Sequence, residues 1–328
     1  MMIHYIGLGK MGKNMVLRLL EKGHQVHAWN RSPEPRLEVK KTGAKVYETV
    51  EKLLSSSQRA AGGSRVIWLM LPAGDATKSM IEQVGPLLSS GDIIIDGANG
   101  FYKDSLLYAK YLEQFRVSYI DVGVSGGPSG ARTGACLMIG GTKDIQKQLE
   151  PLFRDIAADG TAYQFFEGYG AGQFVKMIHN GIEYGMMQAI AEGFTILKES
   201  DFNLDLVKVA EIYQKRSVIE SRLVQWTLDG LKQYGTSLEG ISGSINHSGE
   251  GMWTVNTAKE MNIPVPILIT VTLSKIRKNP NPLLINLFQK FQEKKLQTHR
   301  IIIKSVVQIP QTQTRTIHQL EEKSQVAP

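Results

Sequence analysis

The chain has almost no cysteine. Cys136 is the sole one among 328 residues, which excludes an intrachain disulfide and a thiolate-rich metal site. A reducing compartment fits that shortage, and a cytoplasmic location is the expectation. Long apolar runs are missing too: none approaches the roughly 20 residues that a membrane-spanning helix needs. The opening Met2-Ile-His-Tyr-Ile6 is too short for a secretory leader and runs straight into glycines. An excess of one charge is absent from the body. From Lys275 onward lie 10 of the 38 basic and 3 of the 31 acidic residues, which leaves 28 of each sign in residues 1–274. The net charge of +7 thus belongs to the tail, and neither nucleic acid nor membrane is an expected partner.

Other residue types run out along the chain. The last glycine is Gly251 and the last aspartate is Asp229. After the Asn279-Pro-Asn-Pro282 break, residues 283–295 suit an amphipathic helix. Residues 296–328 are basic and rich in Gln and Thr, a composition expected to be poorly ordered. No internal repeat is present.

What remains is a globular composition, with 42% hydrophobic and 21% charged residues, and a length that predicts two domains. Residues 3–6 read as a short buried strand. Gly7-Leu-Gly-Lys-Met-Gly12 follows at once, then a helix with apolar Met15, Leu17, Leu19 and Leu20 that stops at Gly23. Residues 25–29 read as a second strand. Further strands are predicted at 66–71, 93–96 and 118–122, separated by helical segments, with a Gly- and Ser-rich loop over 55–64. This alternation predicts a parallel, doubly wound sheet. The strand signal fades near residue 171. Residues 173–198 suit one long helix, and the chain stays helical to about residue 273, interrupted by a loop over 235–251. The expectation is a Rossmann-like α/β domain over 1–170, an all-α domain over 171–295, and the tail.

Gly7, Gly9 and Gly12 fit G-x-G-x-x-G between a strand and a helix, the signature of a dinucleotide pyrophosphate site. The second strand ends in Asn30-Arg-Ser32, without the acid that binds the ribose 2′-hydroxyl of NAD. Arg31 suits stacking on adenine and pairing with a 2′-phosphate, with Asn30 and Ser32 donating hydrogen bonds, so NADP is favoured over NAD. Asp121-Val-Gly-Val-Ser-Gly-Gly-Pro128 places Ser125, Gly126 and Gly127 by a strand end, where ligands of open α/β sheets sit. Asn99 occupies a similar strand-end loop.

Lys176, His179, Asn180 and Glu183 are spaced i, i+3, i+4 and i+7, which puts them on one helix face. Phe174, Val175, Met177, Ile178 and Ile182 fill the other positions, so the helix is expected to be buried almost all round. A polar stripe on a buried helix lines a pocket. His179 and Glu183 lie one turn apart, as metal ligands would, but no third ligand is evident and no metal is expected.

Together these motifs resemble the 6-phosphogluconate dehydrogenase (decarboxylating) family of the β-hydroxyacid dehydrogenase superfamily. The resemblance rests on Gly7-Leu-Gly-Lys-Met-Gly-Lys-Asn14, Asn30-Arg-Ser32, Asp121 to Gly127, Lys176-Met-Ile-His-Asn-Gly-Ile-Glu-Tyr184 and Gly249-Glu-Gly-Met-Trp-Thr254. It covers roughly residues 1–270 and is closest to the family's shorter form. The resemblance implies oxidative decarboxylation of 6-phosphogluconate to ribulose 5-phosphate and CO₂ with reduction of NADP. It makes Lys176 the general base and Glu183 the general acid. Asn99, Ser125, Gly126, Gly127, His179, Asn180 and Tyr184 would contact the sugar acid. Gly7, Leu8, Gly9, Lys10, Met11, Gly12, Asn30, Arg31 and Ser32 would hold the dinucleotide, with Leu71, Pro72, Ala73 and Asn99 nearby. A homodimer or homotetramer is implied. Two departures stand out. Ser248-Gly-Glu-Gly-Met252 lacks the lysine that the family places beside its Trp-Thr pair, and the pattern is lost beyond Ile267. A non-decarboxylating β-hydroxyacid dehydrogenase and an NADP-binding homologue with impaired catalysis are the alternatives.

Overall fold

A computed structural model describes residues 1–55, 63–236 and 249–276, with the side chains of 273–276 left out. The expected helix over 283–295, the tail, and most of the loops over 55–64 and 235–251 lie outside the described residues.

The N-terminal half is built on one eight-stranded sheet, ordered β3-β2-β1-β4-β5-β6-β7-β8. Its strands are β1 (Met2–Ile6), β2 (Gln25–Trp29), β3 (Lys45–Val46), β4 (Val66–Leu69), β5 (Ile93–Asp96), β6 (Ser118–Ser125), β7 (Cys136–Gly141) and β8 (Tyr163–Glu167). Between them run α1 (Lys10–Glu21), α2 (Pro33–Lys40), α3 (Val50–Ser55), α4 (Asp75–Val84), α5 (Tyr102–Glu113), α6 (Gly127–Thr133) and α7 (Lys143–Ile156). The central strands are apolar on both faces because helices cover both: Ile93, Ile94 and Ile95 are all fully buried. Their alternate side chains feed two cores. Tyr5, Trp68, Ile95 and Val122 join one, and Ile6, Leu69, Ile94 and Tyr119 join the other.

The sheet is not wholly parallel, which corrects the sequence-based expectation. β6 and β7 pair antiparallel, with Ser125 opposite Cys136 and Asp121 opposite Gly140. The physical reason is connection length. Only the short α6 and its flanking turns separate the two strands, whereas a parallel return needs a dozen or more residues. The apolar pattern also does not predict β3, β7 or β8, while β4 ends earlier and β6 runs further than it suggests.

The rest of the described chain is helical. α8 (Ala171–Glu199) is followed by α9 (Leu206–Tyr213), α10 (Arg222–Tyr234), α11 (Glu250–Glu260) and α12 (Pro266–Ile276). Met187, Ala191 and Phe194 of α8 meet Leu206, Ala210, Leu223, Leu228 and Leu231 in a third core. α9 begins at Asp205, whose carboxylate accepts from the amides of Val207 and Lys208, and α10 begins at Ser221, whose hydroxyl accepts from Val224. α8 has no such cap of its own. Asp121 of β6 substitutes by accepting from the amides of Gly170 at 2.7 Å and Gln173 at 2.8 Å. The sheet thereby fixes where the long helix starts.

α8 is not buried almost all round. Ile182 is 53% exposed, Met186 43% and Ile196 71%. Apolar periodicity alone does not say what covers each face, and among the described residues α9–α12 and the sheet leave this one open.

Candidate active site

β1 delivers the chain into the glycine loop, and α1 begins at its far end. Gly12 packs against the loop backbone: a Cβ there would lie 2.0 Å from the Gly7 carbonyl oxygen. Gly9 differs, because a Cβ there would meet nothing within 4 Å. It would instead project into space beside a helix start that carries no side-chain cap. An uncapped helix N-terminus offers N–H groups and a positive dipole end, which fits a pyrophosphate. Asn30 braces the loop. Its side-chain oxygen accepts from the Leu8 amide at 2.9 Å and its side-chain nitrogen donates to the Ser32 carbonyl at 3.1 Å. Arg31 and Ser32 are exposed beyond it.

Along α8, Lys176 and Asn180 are each only 6% exposed. Lys176 Nζ lies 3.4 Å from His179 Nδ1, and Asn180 Oδ1 lies 3.2 Å from the same nitrogen. His179 Nε2 lies 3.2 Å from Ser125 Oγ. An Nδ1–H directed at the Asn180 oxygen leaves Nε2 to accept from the serine hydroxyl. Glu183 Oε2 is 3.8 Å from His179 Nδ1. The turn after β6 is glycine-dependent, with Gly126 at φ +118° and Gly127 at φ +60°.

A cleft of about 610 Å³ joins the glycine loop to this helix. Gly9, Lys10, Met11 and Gly12 line it, together with Leu71, Pro72 and Asn99 from two strand-end loops. Lys176, Asn180, Glu183 and Tyr184 of α8 line the same cleft, as do Gly126 and Gly127 after β6. Ser125 and His179 line an adjoining cavity of about 590 Å³, which shares Gly126 and Glu183 with the cleft. Gly7, Leu8, Asn30, Arg31, Ser32 and Ala73 lie outside the lining of the cleft.

Sequence reasoning missed Glu250. It lies within Gly249 to Thr254, a segment that carries the family resemblance without implying a role for this acid. It is 3% exposed, lines the cleft, accepts from the Asn99 side-chain amide, and lies 3.4 Å from the Tyr184 hydroxyl. The acid within a glycine-flanked helix start was a signal, but its partners are 66 and 151 residues away. Burial and the charges of Glu250 and Glu183 raise the Tyr184 pKa, so this phenol stays protonated. Burial also pushes Asp121 up to about 6, against the pull of the backbone amides that it accepts from.

The phosphate cradle and the polar-striped helix across one cleft define a nicotinamide dinucleotide-dependent oxidoreductase. Residues 2–168 match the family described as the NAD binding domain of 6-phosphogluconate dehydrogenase, and residues 172–281 match its C-terminal domain. The chain belongs to the 6-phosphogluconate dehydrogenase family. It is 38% identical to YqeC of Bacillus subtilis, over 84% of this chain and 91% of that protein. It is 35% identical to a Haloferax volcanii protein named 6-phosphogluconate dehydrogenase, NAD(+)-dependent, decarboxylating, over 82% of this chain and 87% of the relative. Among solved structures it is similar to Plasmodium falciparum 6-phosphogluconate dehydrogenase, described in its apo form and in complex with NADP+ and with 6-phosphogluconate. There the TM-score is 0.75 at 29% identity, covering 90% of this chain and 64% of that one. The chain thus spans nearly the whole of its shorter relatives and less than two thirds of the longer one.

Proposed function

We propose that this chain oxidises 6-phosphogluconate and decarboxylates the product to ribulose 5-phosphate. The observation that carries the reading is the cleft itself. It brings Lys176, Asn180 and Glu183 into one cavity with Gly9 to Gly12, as a hydride transfer flanked by proton transfers requires. The substrate is the one that the Plasmodium structure is described as binding.

The bound dinucleotide would supply the hydride acceptor. The chain's residues do the rest. Gly9 to Gly12 and the start of α1 hold the pyrophosphate. Lys176, in its neutral form, takes the proton of the C3 hydroxyl as hydride leaves C3. Once protonated, Lys176 donates a hydrogen bond to the oxygen that gains charge as CO₂ departs. Glu183 then protonates C1 of the enediol. Seven residues separate the two groups, about 10 Å along the helix, so each reaches a different carbon of a sugar lying along α8. Ser125, Gly126, Gly127, His179, Asn180, Asn99 and Tyr184 orient that sugar.

NADP is the cofactor in this reading, although the Haloferax relative is named as NAD(+)-dependent. The support is the absence of an acid at 30–32 and the exposed Arg31, which makes no hydrogen bond or ion pair among the described residues. We place the division between the two domains near residue 170, and read the chain as a homo-oligomer. The apolar face of α8 that is exposed among the described residues, with Ile182, Met186 and Ile196, supports the second point.

A steady-state assay with 6-phosphogluconate and either cofactor tests the reading. Turnover with NADP that Lys176→Ala abolishes is expected. Wild-type turnover unaffected by Lys176→Ala would reject the assignment.

A further inference from the structure

Glu250 is a buried carboxylate in the cleft that the reaction described above does not use. It opens α11, and that helix start is held firmly against α8. Thr254 Oγ1 lies 3.0 Å from the Met177 carbonyl oxygen of α8 and 2.9 Å from the Glu250 carbonyl oxygen, so one hydroxyl ties the two helices together. A Cβ on Gly251 would lie 3.3 Å from the Tyr184 ring, so the packing leaves α11 little room to shift.

From this fixed base the Glu250 carboxylate reaches across the cleft. It accepts a hydrogen bond from the side-chain nitrogen of Asn99, in the loop after β5. Its other oxygen lies 3.4 Å from the hydroxyl of Tyr184. Asn180 Nδ2 lies 3.4 Å from Asn99 Oδ1. An ionised carboxylate only accepts, so it fixes which end of the Asn99 amide faces α11 and which faces α8.

We infer that Glu250 is a positioning residue, which orients Asn99 and Tyr184 for substrate by accepting a hydrogen bond from each. The inference rests on the proposed reaction. Glu250 joins the strand-end loop of the sheet to two helices, so it sets the relation between cofactor side and substrate side. A displacement of about 1 Å in such a contact costs on the order of 100-fold in rate. The role is distinct from that of Lys176 and Glu183, which exchange protons with the reacting atoms.

The test is a double-mutant cycle on kcat/KM for 6-phosphogluconate, with a crystal structure of Glu250→Ala. Glu250→Ala is expected to lower kcat/KM by roughly 10- to 100-fold. Glu250→Gln, which keeps an acceptor oxygen in place, should recover to within about fivefold of wild type. Glu250→Asp keeps the charge but shortens the reach, and should behave like the alanine variant. In an Asn99→Ala, Tyr184→Phe background the loss of Glu250 should add less than about threefold. Full activity in Glu250→Ala would overturn the inference. So would an equal loss with and without Asn99 and Tyr184, which marks a merely structural role. If wild type releases no CO₂ from 6-phosphogluconate, the proposed function fails by itself. The crystal structure still decides the present point, because an Asn99 amide unmoved in Glu250→Ala contradicts it.

Discussion

Lys176 lies directly over Gly123. A methyl group added to that glycine of β6 would fall 2.3 Å from Lys176 Cβ and 2.8 Å from Cγ. The strand thus gives way at one position so that the lysine can sit in the wall of the cleft. Its position is further set by Asp121, two residues earlier on the same strand, which holds the start of α8.

The first prediction follows from that contact. Gly123→Ala should push Lys176 off its position and lower kcat at least tenfold, with a loss of about 1–3 kcal/mol in stability from overpacking. Steady-state kinetics and chemical denaturation measure the two effects. Unaltered kcat would show that the lysine position does not depend on this glycine.

Removing the proposed base and the proposed acid should have different consequences. Lys176→Met is expected to suppress cofactor reduction by roughly 100- to 10,000-fold, the usual worth of a positioned general base. Glu183→Gln should lower ribulose 5-phosphate formation, since its step comes after oxidation. Stopped-flow absorbance of the reduced cofactor, compared with the steady-state rate, separates the steps. Equal loss of the first turnover in both variants would contradict the division of labour.

Cofactor choice is expected to depend on Arg31. Arg31→Ala should raise the KM for NADP by about 10- to 100-fold, as expected for loss of charge-assisted hydrogen bonds worth roughly 1.5–3 kcal/mol, and leave that for NAD within twofold. Parallel loss with both cofactors would assign the residue to the fold rather than to the 2′-phosphate.

Asp96 gives a pH dependence. It is fully buried, and desolvation raises it from 3.8 to about 7 despite hydrogen bonds from the Ala98 amide and the Tyr119 hydroxyl. The folded chain therefore keeps a proton that the unfolded chain has released, so stability falls as pH rises from about 4 to about 7. Asp121 adds to the same trend up to about 6. In Asp96→Asn the decline should flatten by up to about 4 kcal/mol across that window. Denaturant unfolding of both proteins at several pH values gives the difference, and parallel pH curves would refute it.

Much of this was legible in the chain. The glycine loop after β1 and the polar stripe of α8 announced themselves through spacing, because both rest on local geometry. What stayed hidden depends on distant partners. The antiparallel β7 carries no pattern that distinguishes its direction. The support of α8 by Asp121 reaches across 52 residues to Gln173, and the Glu250–Asn99 contact spans 151. The exposed face of α8 reads as core in sequence because apolar residues look alike whether a neighbouring helix or a second chain covers them.

That face supplies a further prediction. Replacing Ile182 and Ile196 by glutamate should shift the full-length chain to a smaller species in gel filtration and light scattering. An unchanged mass would reject this face as a contact between copies.

The central claim is that oxidation and decarboxylation occur together in the cleft between the glycine loop and α8. The direct test uses 6-phosphogluconate labelled at C1 and counts labelled CO₂ against reduced cofactor. The account predicts one CO₂ for each cofactor reduced. Reduced cofactor with the label retained in a keto acid would contradict it.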